Sequence, residues 1–286
     1  MKKGYIFLLL VIGVLVGTFS ASKLAKIYRE RPPLESVRYV PKPSLLKAVA
    51  LEYRLLLADF FWMKVTLIYG EPNFRKKATP EDWNYIEKTI QVVTELDPYF
   101  FIPYYFAGIV LPMEADRVDD ANKILMRGMK YLKKEWRIPF LIGFNYYYYK
   151  HEDLDAAKYL EIASKLPGSP EYLPQLASRL RYQAGDIRHA IAFLMTMYNN
   201  TDNLELKKSL AMRIKALQDI YYLTQAVEIF KKRFNRPPRS FEELVEAHII
   251  KTIPRDPYGG KYYYDSKDGR VKTTSNFRPV TKNGKK

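Results

Sequence analysis

The amino-acid sequence predicts a mainly α-helical fold: an α-solenoid of antiparallel helix pairs, preceded by a transmembrane helix and followed by a small helix plus β-hairpin. Three observations predict this architecture. One spacing of small and large apolar residues occurs three times between residues 101 and 203. An uncharged apolar run lies near the start of the chain, and a turn-rich aromatic segment lies near its end.

The apolar run covers residues 4–22 and follows Lys2 and Lys3. A helix of 19 residues spans roughly 28 Å, close to the thickness of a bilayer core. We therefore expect residues 1–22 to be a transmembrane signal-anchor in the cytoplasmic (inner) membrane, with the body of the protein on the extracytoplasmic side. A signal peptide shares these features, and residues 20–22 are small enough for cleavage, so export after cleavage and the opposite orientation stay open.

The formal charge of +16 is concentrated at the two ends of the chain. Residues 1–50 carry nine Lys/Arg and two acids, residues 231–286 carry fifteen and six, and the middle carries 23 of each. Basic ends favour attraction to anionic lipid, whereas a neutral middle argues against a nucleic-acid groove. Residues 23–43 are basic and proline-rich, which predicts a stiff stalk. The absence of cysteine excludes disulfides and thiol chemistry.

The repeated pattern starts from a small residue and places apolar residues 13, 17 and 20 positions later. Successive copies are shifted by 35 and then 34 residues. Each copy fits two helices, the first opened by a proline and the second carrying the last three positions on one face. The copies are Gly108-Ala121-Leu125-Gly128, Gly143-Ala156-Leu160-Ala163 and Ala177-Ala190-Leu194-Met197.

This pattern resembles the tetratricopeptide repeat (TPR) family. The resemblance is best in the middle copy, in Ile142-Gly143, Tyr146, Ala156, Leu160, Ala163 and Pro167, although Pro139 stands where the family has a tryptophan. It implies a right-handed solenoid with repeats near residues 101–134, 136–169 and 170–203. It also places the four consecutive tyrosines, 146–149, in the first helix of the middle repeat.

The repeats are expected to belong to a helical domain over residues 44–235. One helix is predicted from residue 44 to about 69, and a long helix over 204–234 should cap the last repeat. Pro112 should end the first helix of the first repeat early, because proline removes a helical hydrogen bond.

Residues 236–286 are expected to form a small module with a basic tail, whose hairpin should pack on the long helix or on a neighbouring element because an isolated hairpin is marginally stable in water. Asp256-Pro257-Tyr258-Gly259-Gly260 is a turn sequence, and residues 261–265 and 270–275 read as two strands of a hairpin. The segment is similar to the C-terminal part of type II secretion pseudopilins, which implies a shared small α/β-hairpin module.

No catalytic or cofactor motif is found in the sequence. The three histidines, His151, His189 and His248, lack metal-ligand spacing, and the glycines form no phosphate loop. We therefore expect that the protein is not an enzyme and that it holds no metal and no cofactor. A hydrolase whose catalytic carboxylates follow no sequence motif stays open as an alternative.

The family resemblance implies a concave groove lined by the first helices of the repeats. We expect it to bind a protein or peptide partner with apolar side chains and an acidic group, in a membrane-anchored scaffold or adaptor for cell-envelope assembly or secretion. Two alternatives stay open: an envelope glycan-binding or glycan-processing protein, and groove aromatics that belong to the core. The partner's identity and the oligomeric state are also open. The expected groove residues are Tyr105, Ile109, Arg137, Phe140, Phe144, Tyr147, Tyr148, Arg181 and Tyr182.

Overall fold

The computed structural model describes residues 16–23 and 39–278, and the chain divides into two compact units, Met1–Pro41 and Lys42–Lys286. In the first unit, residues 16–23 form a helix, α1. The predicted signal-anchor over 1–22 and stalk over 23–43 fall mostly on residues 1–15 and 24–38, which lie outside the described residues. Within residues 16–23 and 39–278, no helix has both the length and the apolar character needed to span a bilayer.

The second unit is mainly α-helical with one small antiparallel sheet, which confirms the predicted fold class at this level. It begins with α2 (Pro43–Ala50), a short 3₁₀ turn (Leu51–Tyr53), α3 (Arg54–Tyr69), α4 (Phe74–Lys77) and α5 (Pro80–Leu96). The helices that follow are α6 (Phe101–Ala115), α7 (Val118–Tyr131), α8 (Arg137–Asn145), α9 (Asp153–Ser164), α10 (Leu173–Gln183), α11 (Ile187–Asn199) and α12 (Leu204–Phe234). The chain then forms α13 (Glu242–Glu246), β1 (Tyr262–Asp265) and β2 (Arg270–Thr273).

Two of these helices have side-chain caps that the local sequence explains. Thr79 precedes α5 and accepts the backbone N–H of Asp82, while the Asp82 carboxylate accepts the N–H of Thr79. Pro80 occupies the first helical position, where its missing N–H costs nothing. Asn203 caps α12 by accepting N–H groups from Glu205 and Leu206. These caps satisfy N–H groups that have no partner within the helix.

The positions that recur in the sequence meet in the core between paired helices. Gly108 on α6 faces Leu125 on α7, and Gly143 on α8 faces Leu160 on α9. A Cβ on either glycine would lie 2.9 Å from the leucine side chain opposite, so the glycines allow a close approach of the paired helices. The equivalent residues of the third copy, Ala177, Ala190 and Leu194, are fully buried as well.

Two helix boundaries differ from those that the sequence predicts. Helix α6 continues through Pro112 to Ala115, because Pro112 lies in its last turn and the N–H of Arg117 donates to the carbonyl of Leu111 beyond it. The predicted long helix over 44–69 is broken at Leu51, whose φ of 45° is incompatible with a continuous helix. The break separates α2 from α3, and both helices pack against α5.

The C-terminal segment packs against α12. Strands β1 and β2 pair with Tyr262 opposite Thr273 and Asp265 opposite Arg270. Tyr262 and Val271 belong to a buried cluster with Phe241 of the preceding loop and with apolar residues of α12 and α13. In the Asp256–Gly260 turn, the Asp256 carboxylate accepts the N–H of Tyr258 and the hydroxyl of Thr273, which ties the turn to β2.

Candidate functional site

The four consecutive tyrosines lie in a single π-helical turn, Tyr146–Lys150, that extends α8. The turn ends at His151, which has a left-handed φ of 55°, and the N–H of Glu152 donates to the carbonyl of Tyr146. A π turn carries one more residue than an α turn, and such turns are frequent at functional sites. The sequence places these residues in a helix but does not predict the π turn.

The turn gives the four tyrosines different surroundings. Tyr146 is half-buried and its ring stacks on Tyr159 of α9, with centroids 5.7 Å apart and planes within 7°. Burial raises the pKa of Tyr146. Tyr147 and Tyr148 are 44% and 58% exposed. Tyr149 is half-buried, with its ring edge against Tyr148 at 4.9 Å between centroids.

Tyr148 ends a row of aromatic rings along α8. Trp136, Phe140, Phe144 and Tyr148 are spaced four residues apart, which places them on one helix face. Successive centroids are 5.6, 6.4 and 5.4 Å apart, and the rings of Phe144 and Tyr148 are parallel within 8°. Phe144 is still 38% exposed, so this part of the row faces solvent.

Helix α6, which packs against α8, carries a second pair of rings. The centroids of Phe101 and Tyr105 are 5.4 Å apart, and the Arg137 guanidinium lies 4.2 Å from the centroid of Phe101. Arg137 starts α8, so it connects the rings of α6 to the row on α8. We call Phe101, Tyr105, Phe140, Phe144 and Tyr148 the aromatic surface.

The Arg137 side chain binds the carboxylate of Glu135 as well as the ring of Phe101. Its Nε and Nη2 each donate to Glu135, both at 2.6 Å. The hydrogen bonds from Arg137 lower the pKa of Glu135. Arg137 therefore neutralises an acid of its own chain and is not a free ligand for an acidic partner.

Three other predicted groove residues have different surroundings. Ile109 is half-buried and packs on the core of the first helices. Arg181 forms ion pairs with Glu161 of α9 and with Asp186. The hydroxyl of Tyr182 donates to the carbonyl of Val271 at 2.9 Å, and its ring contacts Phe277. In the described part of the chain, neither Arg181 nor Tyr182 makes a ring or hydrogen-bonding contact with the aromatic surface.

Of the predicted groove, the structure places Phe140, Phe144 and Tyr148 in one row and Tyr105 in a ring pair with Phe101, which Arg137 contacts from the start of α8. The sequence analysis left out Phe101 and Trp136, although the four-residue spacing of Trp136 from Phe140 is a usable signal. Exposed aromatic rings with few free charges can bind apolar or aromatic groups but offer no nucleophile or general base. Within residues 16–23 and 39–278, no three His, Cys, Asp or Glu side chains are placed to hold a metal ion.

No family model, no curated protein and no solved structure matches the chain.

Proposed function

We propose that the protein is a membrane-anchored, non-enzymatic adaptor that holds a partner protein on its aromatic surface, in cell-envelope assembly or secretion. One observation carries the proposal: the parallel, solvent-exposed rings of Phe144 and Tyr148 continue a row of aromatic contacts that extends into the core. Exposed aromatic clusters on a rigid support are typical of the residues that dominate protein interfaces.

The partner is best described as a segment that presents aromatic or aliphatic side chains. The expected recognition of an acidic group lacks support, because Arg137 and Arg181 are both engaged by carboxylates of the chain itself. An aromatic surface of this kind selects by shape and apolar contact.

We propose that a TPR-like, right-handed solenoid carries the aromatic surface. In its favour, each helix from α5 to α12 packs against the next, and α6 also packs against α8. The first three positions of the pattern are buried in all three copies, and only the last position of the third copy, Met197, is half-buried. The membrane anchor rests on the apolar run over 4–22 and on the basic ends of the chain, with the body placed outside the cytoplasm. Protease digestion of spheroplasts expressing the full chain tests that orientation, and protection of the body would contradict it.

Site-specific photocrosslinking tests the proposed surface. A photoreactive phenylalanine analogue at Tyr148 should crosslink a discrete protein in native membranes, whereas the same analogue at Tyr172 should not. Tyr172 is a matched control, because it is an exposed tyrosine outside the aromatic surface. Equal crosslinking from both positions would show non-specific contact and would contradict the proposal.

Substitution of the exposed rings provides the second readout. Phe144→Ala in the chain carrying the probe at Tyr148 should reduce the crosslinked product about tenfold, because a central aromatic contact contributes about 1–2 kcal/mol to binding. The melting temperature should change little, because Phe144 is partly exposed. A large loss of thermal stability would instead assign Phe144 to the core.

A glycan ligand is the second candidate, favoured by the parallel rings of Phe144 and Tyr148, which offer a flat platform to a sugar. Pull-down of the full chain on immobilised cell-wall glycan distinguishes the two. Retention on glycan that Phe144→Ala abolishes, without a crosslinked protein, would replace the protein partner by a glycan.

A further inference from the structure

A second candidate site is a cavity of about 340 Å³ between α10 and the C-terminal hairpin. Three cationic side chains line the cavity and no carboxylate does: Arg179 from α10, and Arg270 and Lys272 from β2. A cavity with cations from two elements and no lining acid has the charge to attract an anion.

The two arginines of the cavity are not neutralised by the chain. Arg270 uses one N–H to bind the backbone carbonyl of Gln183, which fixes its side chain at the cavity. Arg179 is exposed and makes no hydrogen bond or ion pair with the described residues. Lys272 differs, since Asp265 and Asp268 pair with it at 2.7 and 2.5 Å. The free positive charge at the cavity therefore belongs to the arginines.

A third arginine next to the cavity is buried without a carboxylate. Arg213 of α12 is 7% exposed, and its Nε and Nη1 have no hydrogen-bond partner in the described part of the chain. Its guanidinium lies 4.2 Å from the centroid of Phe277, a residue that also lines the cavity. Desolvation, together with the positive charge of Arg179, lowers the pKa of Arg213. A buried charge without a counter-ion is costly, and a nearby anion would offset this cost.

We propose that this cavity binds an organic phosphate, with Arg179 and Arg270 as direct ligands and Arg213 as a nearby buried charge. A phosphate dianion matches the two free arginines in charge, and its several oxygens can accept from guanidinium groups on two elements. The rings of Tyr263 and Phe277 line the same cavity and can contact the organic part.

Calorimetric titration of the full chain in non-ionic detergent tests the proposal. The probes are inorganic phosphate, phenyl phosphate and short-chain phosphatidic acid, with acetate at equal ionic strength as the control. We expect saturable one-site binding of phenyl phosphate, weaker binding of inorganic phosphate, and none of acetate. Preferential binding of phosphatidic acid over phenyl phosphate would identify a lipid headgroup as the source of the phosphate.

Charge-removing variants connect this binding to the cavity. Arg179→Gln and Arg270→Gln should each raise the Kd about tenfold or more, because each removes a charge-assisted hydrogen bond. Arg188→Gln is the matched control, since Arg188 is an exposed arginine of α11 outside the cavity, and it should leave the Kd unchanged. Arg213→Met should weaken binding less than either cavity variant, because Arg213 acts without direct contact.

Three results would overturn the proposal. The first is no saturable heat from any phosphate probe at concentrations up to about 10 mM, beyond which specific binding is negligible. The second is acetate binding as tight as that of phenyl phosphate, which would assign the cavity to carboxylates. The third is an equal loss of affinity in Arg188→Gln, which would show that only the overall charge matters.

Discussion

Asn122 on α7 and Asn145 on α8 place two amides in the buried contact between their helices. The Nδ2 of Asn145 donates to the Oδ1 of Asn122 at 2.9 Å. The second polar atom of each amide, Nδ2 of Asn122 and Oδ1 of Asn145, has no partner in the described part of the chain. The pair thus fixes how α7 and α8 pack against each other. The desolvation of each amide is only partly compensated, because one of its two polar atoms has no hydrogen bond.

Breaking this pair from one side should be more costly than removing it altogether. Asn145→Leu should lower the free energy of unfolding by about 1–3 kcal/mol, because Asn122 then stays buried with neither polar atom bonded. Asn122→Leu/Asn145→Leu should recover most of the loss, since it leaves no unbonded polar atom in the buried contact. Urea unfolding of Asn145→Leu, of Asn122→Leu and of the double variant measures this difference. A double variant that is as unstable as the sum of the single variants would show that the two amides are not coupled.

The arginines of the predicted groove show what a sequence leaves undetermined at the residue scale. Glu161, which binds Arg181, lies twenty residues earlier, and Glu135 binds Arg137 from the preceding loop. No spacing rule distinguishes these acids from the others of the chain, because the pairing depends on how the helices finally pack. The sequence could therefore nominate Arg137 and Arg181 for a groove but could not foresee that both are engaged.

At the scale of elements, the repeated small residues set how closely paired helices approach. The surroundings of the two glycines differ. A Cβ on Gly143 would meet the Cγ of Leu160 and the backbone carbonyl of Ala156, at 2.9 and 3.0 Å. The atoms nearest to a Cβ on Gly108 would be terminal methyl carbons of Leu125 and Leu141, both at 2.9 Å. Terminal methyl groups can move aside, whereas a backbone carbonyl cannot without shifting its helix.

We therefore expect Gly143→Ala to be more destabilising than Gly108→Ala. Overpacking at Gly143 should cost about 1–3 kcal/mol of unfolding free energy, only partly offset by the helix preference of alanine, about 0.5–1 kcal/mol. At Gly108 the two effects should nearly cancel. Thermal and urea unfolding of both variants measure the difference. Equal stability of the two variants would show that α8 and α9 can separate slightly without loss of packing.

The elements divide into those that sequence patterns determine and those that packing determines. The helix pairs of α6 to α11 follow from apolar periodicity and from recurring small residues, and the hairpin follows from its turn residues. The π turn at Tyr146–Lys150 and the break at Leu51 carry no such signal. Both are irregular backbone segments whose place depends on contacts with neighbouring helices. The sequence accordingly predicted which aromatic residues belong to the candidate site, but it did not predict how their rings are arranged.

At the scale of the whole second unit, the C-terminal hairpin and the helices share buried tyrosines. Tyr262 of β1 lies in a cluster with α12, and its hydroxyl is 3.4 Å from a carboxylate oxygen of Asp219. Tyr182 of α10 donates to the hairpin through its hydroxyl. Tyr104, on α6, is fully buried among the first helices. The integrity of the unit thus depends on phenols that must stay neutral.

These tyrosines predict a loss of stability in alkaline solution. Burial raises the pKa of Tyr104 and of Tyr182 from 10.0 to about 12, and it raises the pKa of Tyr262 further in the same direction. Above pH 10 the unfolded chain releases these protons while the folded protein retains them. The unfolded state then binds fewer protons, so the free energy of unfolding falls as the pH rises. Below pH 10 the contribution of these groups is fully present.

The free energy of unfolding should fall by about 1.4 kcal/mol per pH unit for each such tyrosine between pH 10 and 12, and urea unfolding at successive pH values measures this slope.

Tyr104→Phe should be the clearest variant, because the Tyr104 hydroxyl makes only a long hydrogen bond, 3.3 Å, to the carbonyl of Thr94. Above pH 10, the free energy of unfolding of Tyr104→Phe should fall less steeply than that of the unaltered protein. The two slopes should differ by the contribution of one tyrosine. Tyr148→Phe supplies the control for removal of a surface phenol. Parallel pH profiles for Tyr104→Phe and the unaltered chain would mean that Tyr104 ionises alike in both states, and that water reaches this part of the core before the unit unfolds.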